Sequence, residues 1–334
     1  MKILRILLFP IVPVYYVVTW FRNTFFDLGW LAHKKYDLPV ICVGNLSVGG
    51  TGKTPMIEYL ICLLKDDYKI ATLSRGYKRQ TMGFQLADLK SNARTIGDEP
   101  FQFYHKFNKD IYVGVDAQRQ KGISELLKLK PKPEVILLDD AYQHRKVKAG
   151  LNILLTTFSQ PYFNDLVLPT GNLREPRSGA QRADLIVVTK CPEIISEEEK
   201  RQYIKRIDPK EHQSVFFSSI LYDDSVYSED SSIKLHDLKS FTLVTGIANA
   251  QSLVDHLKKN DLKFDHLNFK DHHEFSADDI QLLSKKHLIV TTEKDFMRLK
   301  DVEDLKGKLY YLPIKVSLEQ ANNFNKVVKS FVAG

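Results

Sequence analysis

A glycine-rich loop between an apolar run and an amphipathic run constrains this chain more than any other feature. VICVGN (40–45) has the continuous apolar character of a short strand buried on both faces. SVGGTGKT (47–54) follows it, and from Thr54 to Leu64 the residues Met56, Tyr59, Leu60, Leu63 and Leu64 fall on one side of a helix. A strand turning through glycines into a helix aims backbone N–H groups and the positive helix end at one point, which suits phosphate. Gly49, Gly50 and Gly52 permit close backbone approach, and Ser47, Val48 and Thr51 complete the loop. Lys53 can reach β- and γ-phosphates, and the Thr54 hydroxyl can bind Mg²⁺. The strict pattern has Gly where this chain has Ser47.

Such a loop needs a parallel sheet around it, and the flanking sequence supplies one. KIATLSRGY (69–77), IYVGV (111–115), VILLDD (135–140), LNILLTT (151–157) and LIVVTK (185–190) read as strands, with a helix over Asp116 to Lys128. SVFFSSILYDD (214–224) alternates loosely, as a strand leading into a ribbon. FTLVTGIAN (241–249), the DHHEF region (271–275), LIVTTEKD (288–295) and KLYYLPIKV (308–316) form a second βαβ series. The expected organisation is a membrane-interface helix over 1–31, a phosphate-loop lobe over 32–221, a linker or β-ribbon over 222–240, and a smaller α/β lobe over 241–334.

Residues Ile3 to Trp20 are strongly apolar, with Lys2 and Arg5 at the head and Arg22 after them. Pro10 and Pro13 interrupt the stretch, and no small-x-small cleavage site follows, which argues against a secretory signal. The uncharged run Ile6 to Trp20 falls short of the ~20 residues that span a bilayer. Trp20, Phe21, Phe25, Phe26 and Trp30 continue an aromatic-rich face among polar residues. The reading is an interfacial anchor; the alternative is an ordinary buried helix.

Apolar residues make up 43% of the 334 and charged residues 27%, which excludes collagen, a disordered chain and a polytopic membrane protein. The net charge of +7 favours anionic partners: phosphorylated ligands, an anionic membrane surface or nucleic acid. No basic repeat or RNA-module motif supports nucleic acid. Cys42, Cys62 and Cys191 lie far apart with no CxxC, so neither a disulfide framework nor a zinc site is expected.

Other motifs carry chemistry. VILLDDAYQH (135–144) ends a buried strand in paired carboxylates, and Asp139 is the better direct Mg²⁺ ligand because it closes the apolar run at the sheet's ligand edge. GDEP (97–100) offers Asp98 and Glu99, as helix caps or as catalytic carboxylates. DHHEF offers a histidine pair without metal-ligand spacing. Arg75 in SRGYKR (74–79) and Arg174 in LREPR (173–177) are either solvated charges or phosphate anchors. VVTKCP (187–192) has Pro192 where a guanine reader needs Asp, which disfavours a GTPase.

VGNLSVGGTGKTP (43–55), SRGY (74–77), GDEP (97–100), LDDAYQHR (138–145), LPTGNLREP (168–176), FKDHHEFS (269–276) and VTTEKD (290–295) together resemble the tetraacyldisaccharide 4′-kinase family, in order along nearly the whole chain. The family wording has Gly-Phe after the paired aspartates, where this chain has Ala141-Tyr142. The resemblance implies a kinase with two α/β lobes joined by a two-stranded ribbon, using ATP and Mg²⁺. It implies a lipid disaccharide substrate, phosphorylated at its 4′-hydroxyl, and a place at the cytoplasmic face of the inner membrane, with no obligate protein partner. It carries over Asp139 and Glu99 as metal-shell residues beside Thr54, and Asp140 and Gln143 in support. Asp98 becomes the proton acceptor, partnered by a histidine of the pair, with His272 preferred to His273. The alternative is a membrane-peripheral ATPase serving protein or cofactor maturation, which would turn over ATP without a lipid acceptor.

Overall fold

In the computed structural model, residues 8–334 are described; the expectations for residues 1–7 lie outside them. A nine-stranded sheet runs in the order β15-β8-β7-β6-β1-β5-β2-β4-β3. Its strands are β1 (Val40–Asn45), β2 (Ile70–Ser74), β3 (Gln85–Leu86), β4 (Ile111–Val115), β5 (Val135–Asp139), β6 (Leu151–Thr157), β7 (Leu185–Thr189), β8 (Ser214–Tyr222) and β15 (Ile314–Leu318). All neighbours pair in parallel except the two edges, β3 on β4 and β15 on β8. The continuous apolar runs follow from burial on both faces. Val40 and Cys42 point into one core with Ile136 and Leu138, while Ile41 and Val43 point into the other with Leu137.

A second sheet has the order β10-β9-β14-β13-β11-β12. It contains β9 (Ser225–Tyr227), β10 (Ser232–Lys234), β11 (Ser240–Thr245), β12 (Lys263–Asn268), β13 (Ile289–Thr292) and β14 (Leu309–Leu312). Helices α2 (Lys53–Leu64), α4 (Asp98–Phe107), α5 (Arg119–Leu126) and α6 (Glu197–Ile207) serve the first lobe, and α7 (Gln251–Lys259), α8 (Ala277–Ser284) and α9 (Glu293–Leu299) the second; the short α3 (Ala93–Ile96) precedes α4. The lobes share an apolar contact in which Ile96, Phe101 and Val115 meet Phe296 and Met297.

Two boundaries differ from expectation. KLYYLPIKV is two strands, because Pro313 carries no N–H for a ladder and separates β14 from β15. β15 then returns to the first sheet, pairing Ile314 with Tyr222 through Leu318 with Ser218. The helix α10 (Ala321–Ala333) follows it there and buries Phe324, Val328 and Val332 in the first lobe's core, Phe324 meeting Tyr59 and Phe216 edge-on. Burying such side chains is worth about 1.5–3 kcal/mol each, so residues 314–334 belong with the first lobe rather than with 241–334. The ribbon between lobes is accordingly 218–222 with 314–318, while β9 and β10, inside the expected linker 222–240, join the second sheet beside β14, with β10 at its edge.

The N-terminal helix α1 (Val12–Asp27) buries only Asn23 and Phe26. Val14, Val17, Val18, Trp20 and Phe21 are exposed, as is Trp30 beyond it, so this is not the ordinary buried helix. Among the described residues, no helix is long and apolar enough to cross a membrane.

Candidate active site

The glycine loop is strapped before it reaches its helix. Asn45 Nδ2 donates to Ser47 O at 2.7 Å, Val48 N to Asn172 O at 2.8 Å, and Arg174 N to Leu46 O at 2.7 Å. Gly52 has φ +88°, a left-handed turn that a side chain would strain, and α2 starts at the next residue. Thr189 Oγ1 donates to Thr51 O at 2.8 Å, fixing the loop to β7. Lys53 Nζ lies 3.4 Å from Asn45 Oδ1 and 3.6 Å from Asp140 Oδ1, so it faces the end of β5. Lys190 overhangs Gly50, and burial and then Lys53 lower its pKa. Its signal is its place at the end of the LIVVTK strand, on the same sheet edge as the loop.

Asp139 closes β5 and is buried, with Oδ1 unpartnered among the described residues. Burial, then Glu99 and Asp140, push its pKa up to about 7. Asp140 is the opposite case. Burial would raise it, but Lys53 and Arg174 outweigh that, Arg174 NH1 donating to both carboxylate oxygens at 2.9 and 3.1 Å. Among the described residues, no three His, Cys, Asp or Glu side chains converge as a complete metal cage. Magnesium asks for less: one or two carboxylates with phosphates and water. The unpartnered Asp139 oxygen, with the Glu99 carboxylate close enough to act on it, fits that demand.

Asp98 opens α4. Gly97 before it has φ +96°, and a Cβ there would come within 3.2 Å of Gly76 Cα, so glycine is required to bring GDEP against SRGY. His272 Nδ1 lies 3.1 Å from Asp98 Oδ2, across the two lobes. Arg298 NH2 donates to the same oxygen. Burial would raise the Asp98 pKa, but the bonds from His272 and Arg298 hold it well below the usual carboxylate range. His273 faces elsewhere: it bonds Asp279 at 2.9 Å and stacks on Phe269 at 4.6 Å. Lys294, 3.0 Å from His272 Nε2 and 3.5 Å from Glu99, and Arg298 were missed by sequence reasoning. Both sit in the TEKDFMR run, whose signal is the alignment of basic residues four apart on one helix face.

On the other side of the loop, α1 docks through polar atoms. Asn23 Nδ2 donates to Glu175 Oε2 at 2.6 Å, and the Tyr15 hydroxyl to Arg174 O at 2.8 Å. Gln143 Nε2 bridges Asn45 O at 2.9 Å and Glu175 Oε1 at 3.0 Å. Arg182 pairs with Glu175 at 2.9 Å. Arg75 forms no ion pair among the described residues. It lies close enough to His144 to help depress that imidazole, whose pKa burial, then Arg119 and Arg75, bring to about 4.

A parallel α/β sheet with a lysine, a glycine loop and paired aspartates at its carboxyl edge defines an enzyme class that moves phosphoryl groups. Comparison with known proteins narrows the class: the family described as tetraacyldisaccharide-1-P 4′-kinase matches residues 4–333, and the chain belongs to it. A tetraacyldisaccharide 4′-kinase of Flavobacterium johnsoniae is 51% identical, over 99% of this chain and 98% of its own. One from Bacteroides thetaiotaomicron is 44% identical, over 97% and 92%. The crystal structure of the "apo" form of LpxK from Aquifex aeolicus in complex with ATP superposes with a TM-score of 0.79 at 32% identity, covering 98% of this chain and 99% of that one.

Proposed function

We propose that this chain transfers the γ-phosphoryl group of ATP to the 4′-hydroxyl of a tetraacyldisaccharide 1-phosphate, completing the bis-phosphorylated lipid A precursor. Family membership and the ATP complex of the Aquifex aeolicus relative support the reaction class. The observation that carries the residue assignment is the meeting of Asp98 and His272, from separate lobes, 3.1 Å apart.

The backbone of Ser47 to Gly52 and the Lys53 ammonium hold the phosphates, and Lys190 adds positive charge over the loop. Asp139, Glu99 and Thr54 are the magnesium-holding set, with Asp140 keeping Lys53 and Arg174 in place. Magnesium, when bound, neutralises charge on the transferring group. Asp98 receives the hydroxyl proton on Oδ1, which has no partner among the described residues, while His272 orients the carboxylate through Oδ2. Arg75 and Arg174 supply bidentate donors to the anionic acceptor. The exposed apolar face of α1 rests in the interface of an anionic membrane at the cytoplasmic side of the inner membrane, which presents acylated substrate to the edge of β5.

Incubation with labelled ATP and the disaccharide 1-phosphate in detergent tests this. Label is expected in the lipid, dependent on Mg²⁺. ATP turnover unchanged by the acceptor would instead favour an ATPase.

A further inference from the structure

We propose that Lys294 is a positioning residue: it fixes His272 as the neutral tautomer with its proton on Nδ1, so that His272 and Arg298 donate to one oxygen of Asp98 and leave the other free. This rests on the reading of Asp98 as the acceptor of the hydroxyl proton.

The argument is a count of donors and acceptors. A lysine ammonium has three donors and no acceptor. Lys294 Nζ stands 3.0 Å from His272 Nε2, so a hydrogen bond there requires a bare nitrogen. The remaining ring proton of a neutral imidazole is then on Nδ1, which lies 3.1 Å from Asp98 Oδ2 and donates to it. The opposite tautomer fails on both edges. It sets N–H against the ammonium and a lone pair against a carboxylate oxygen; only the 3.2 Å contact with Arg298 NH2 is then served. Asp271 Oδ1, 4.0 Å from Nε2, is too far to reward a proton there. An imidazolium would add a third cation between Lys294 and Arg298, and again oppose two donors at Nε2.

The geometry is held by a short path through the second lobe. Asp295, fully buried, accepts from Gly246 N and Thr292 Oγ1, each at 2.8 Å, and from Arg298 NH1 at 2.9 Å. Gly246 O in turn accepts from His272 N at 3.1 Å. Lys294 and Arg298 are thus set against the imidazole by the start of α9, and Tyr77 covers its ring edge-on at 5.2 Å. Lys78 Nζ bonds His272 O, not the ring. Lys294 also neighbours Glu99, which keeps the ammonium on the Asp98 side of the helix.

The test uses the full chain carrying ¹⁵N-labelled histidine. Long-range ¹H–¹⁵N correlation spectra separate the two neutral tautomers from each other and from imidazolium, and loss of one pattern in His272→Gln assigns it. Wild type is expected to show the Nδ1–H pattern for His272. Lys294→Met should lose that pattern and lower kcat on the order of 10–10²-fold, below the full value of a general base, with ATP affinity unchanged. Lys294→Arg, which restores a donor, should recover both the pattern and most of kcat. A wild-type proton on Nε2, or an unaltered His272 pattern in Lys294→Met, overturns the proposal. These spectra do not depend on the lipid reaction. Full activity in Asp98→Asn, by contrast, defeats the proton-acceptor reading while leaving the tautomer result as measured.

Discussion

Two charged clusters join the same pair of helices, α4 of the first lobe and α9 of the second, and they are built to opposite ends. At the start of α4, Asp98 and Glu99 meet Arg298, Lys294 and His272, partly open to solvent. Two turns further along, Lys106 reaches Glu58 at 2.7 Å and Glu293 at 3.0 Å, and Gln102 Nε2 donates to Glu58 at 2.8 Å. In the second cluster the two carboxylates are buried and share one ammonium that itself reaches solvent, and their pull raises the Lys106 pKa against the effect of burial. The first cluster holds its carboxylate by one oxygen only. Glu293 Oε2 is also left without a partner, but it is enclosed by protein, whereas Asp98 reaches solvent, and only a carboxylate that an acceptor can approach is available for chemistry.

Substitutions can break this contrast. The largest effect is expected at the open cluster: Asp98→Asn should lower kcat by about 10²–10⁴-fold while leaving ATP affinity and the melting temperature nearly unchanged. Steady-state lipid phosphorylation, nucleotide titration and calorimetry check it together. A large loss of stability with a small loss of kcat would reverse the roles assigned to the two clusters.

At the closed cluster the order inverts. Lys106→Met takes the shared donor from Glu58 and Glu293 and should cost about 1–3 kcal/mol of stability, read by denaturant unfolding, with kcat of the folded fraction within about threefold of wild type. Unchanged stability would mean that the cluster braces nothing.

The closed cluster also predicts a pH dependence. Burial, then Glu58, raise the Glu293 pKa from 4.5 to about 7. The folded protein therefore holds a proton that the unfolded chain releases. The stability that Glu293 contributes is present below its unfolded pKa and is lost as pH rises through about 7. Between pH 5 and 8 the loss should be on the order of 1–2 kcal/mol, and Glu293→Gln should flatten that slope. An identical slope in the variant would assign the pH dependence elsewhere.

The smallest effect on either cluster is expected from α1. Val14→Asp with Val17→Asp should release the protein from anionic vesicles and raise KM for acylated acceptor, with stability changed by less than about 0.5 kcal/mol because both positions are exposed. Retained vesicle binding would show that this face is not the anchor.

Motifs carried on one strand–loop–helix stretch were legible in the sequence, because their chemistry is contiguous. The strand of Val40–Asn45, the loop and Lys53 are local neighbours, and the apolar run before Asp139 announces both strand and ligand edge. Lys294 and Arg298 were not legible, since their partners Glu99, Asp98 and His272 stand far away along the chain. The same holds for Glu175, an ordinary loop glutamate until Asn23, Gln143 and Arg182 close on it.

By itself the sequence determined the α/β class, the glycine loop between strand and helix and the carboxylates at the end of β5, because periodicity, glycine placement and strand ends are properties of neighbouring residues. Tertiary structure alone decided which histidine of the pair meets Asp98. His272 is turned there by a left-handed backbone, φ +55°, and a bond to Gly246, while His273 is drawn to Asp279. It also decided that the chain's end returns to the first lobe. Pro313 ends one ladder, but only the open edge of β8 and the apolar core of the first lobe determine where the next strand and helix are buried.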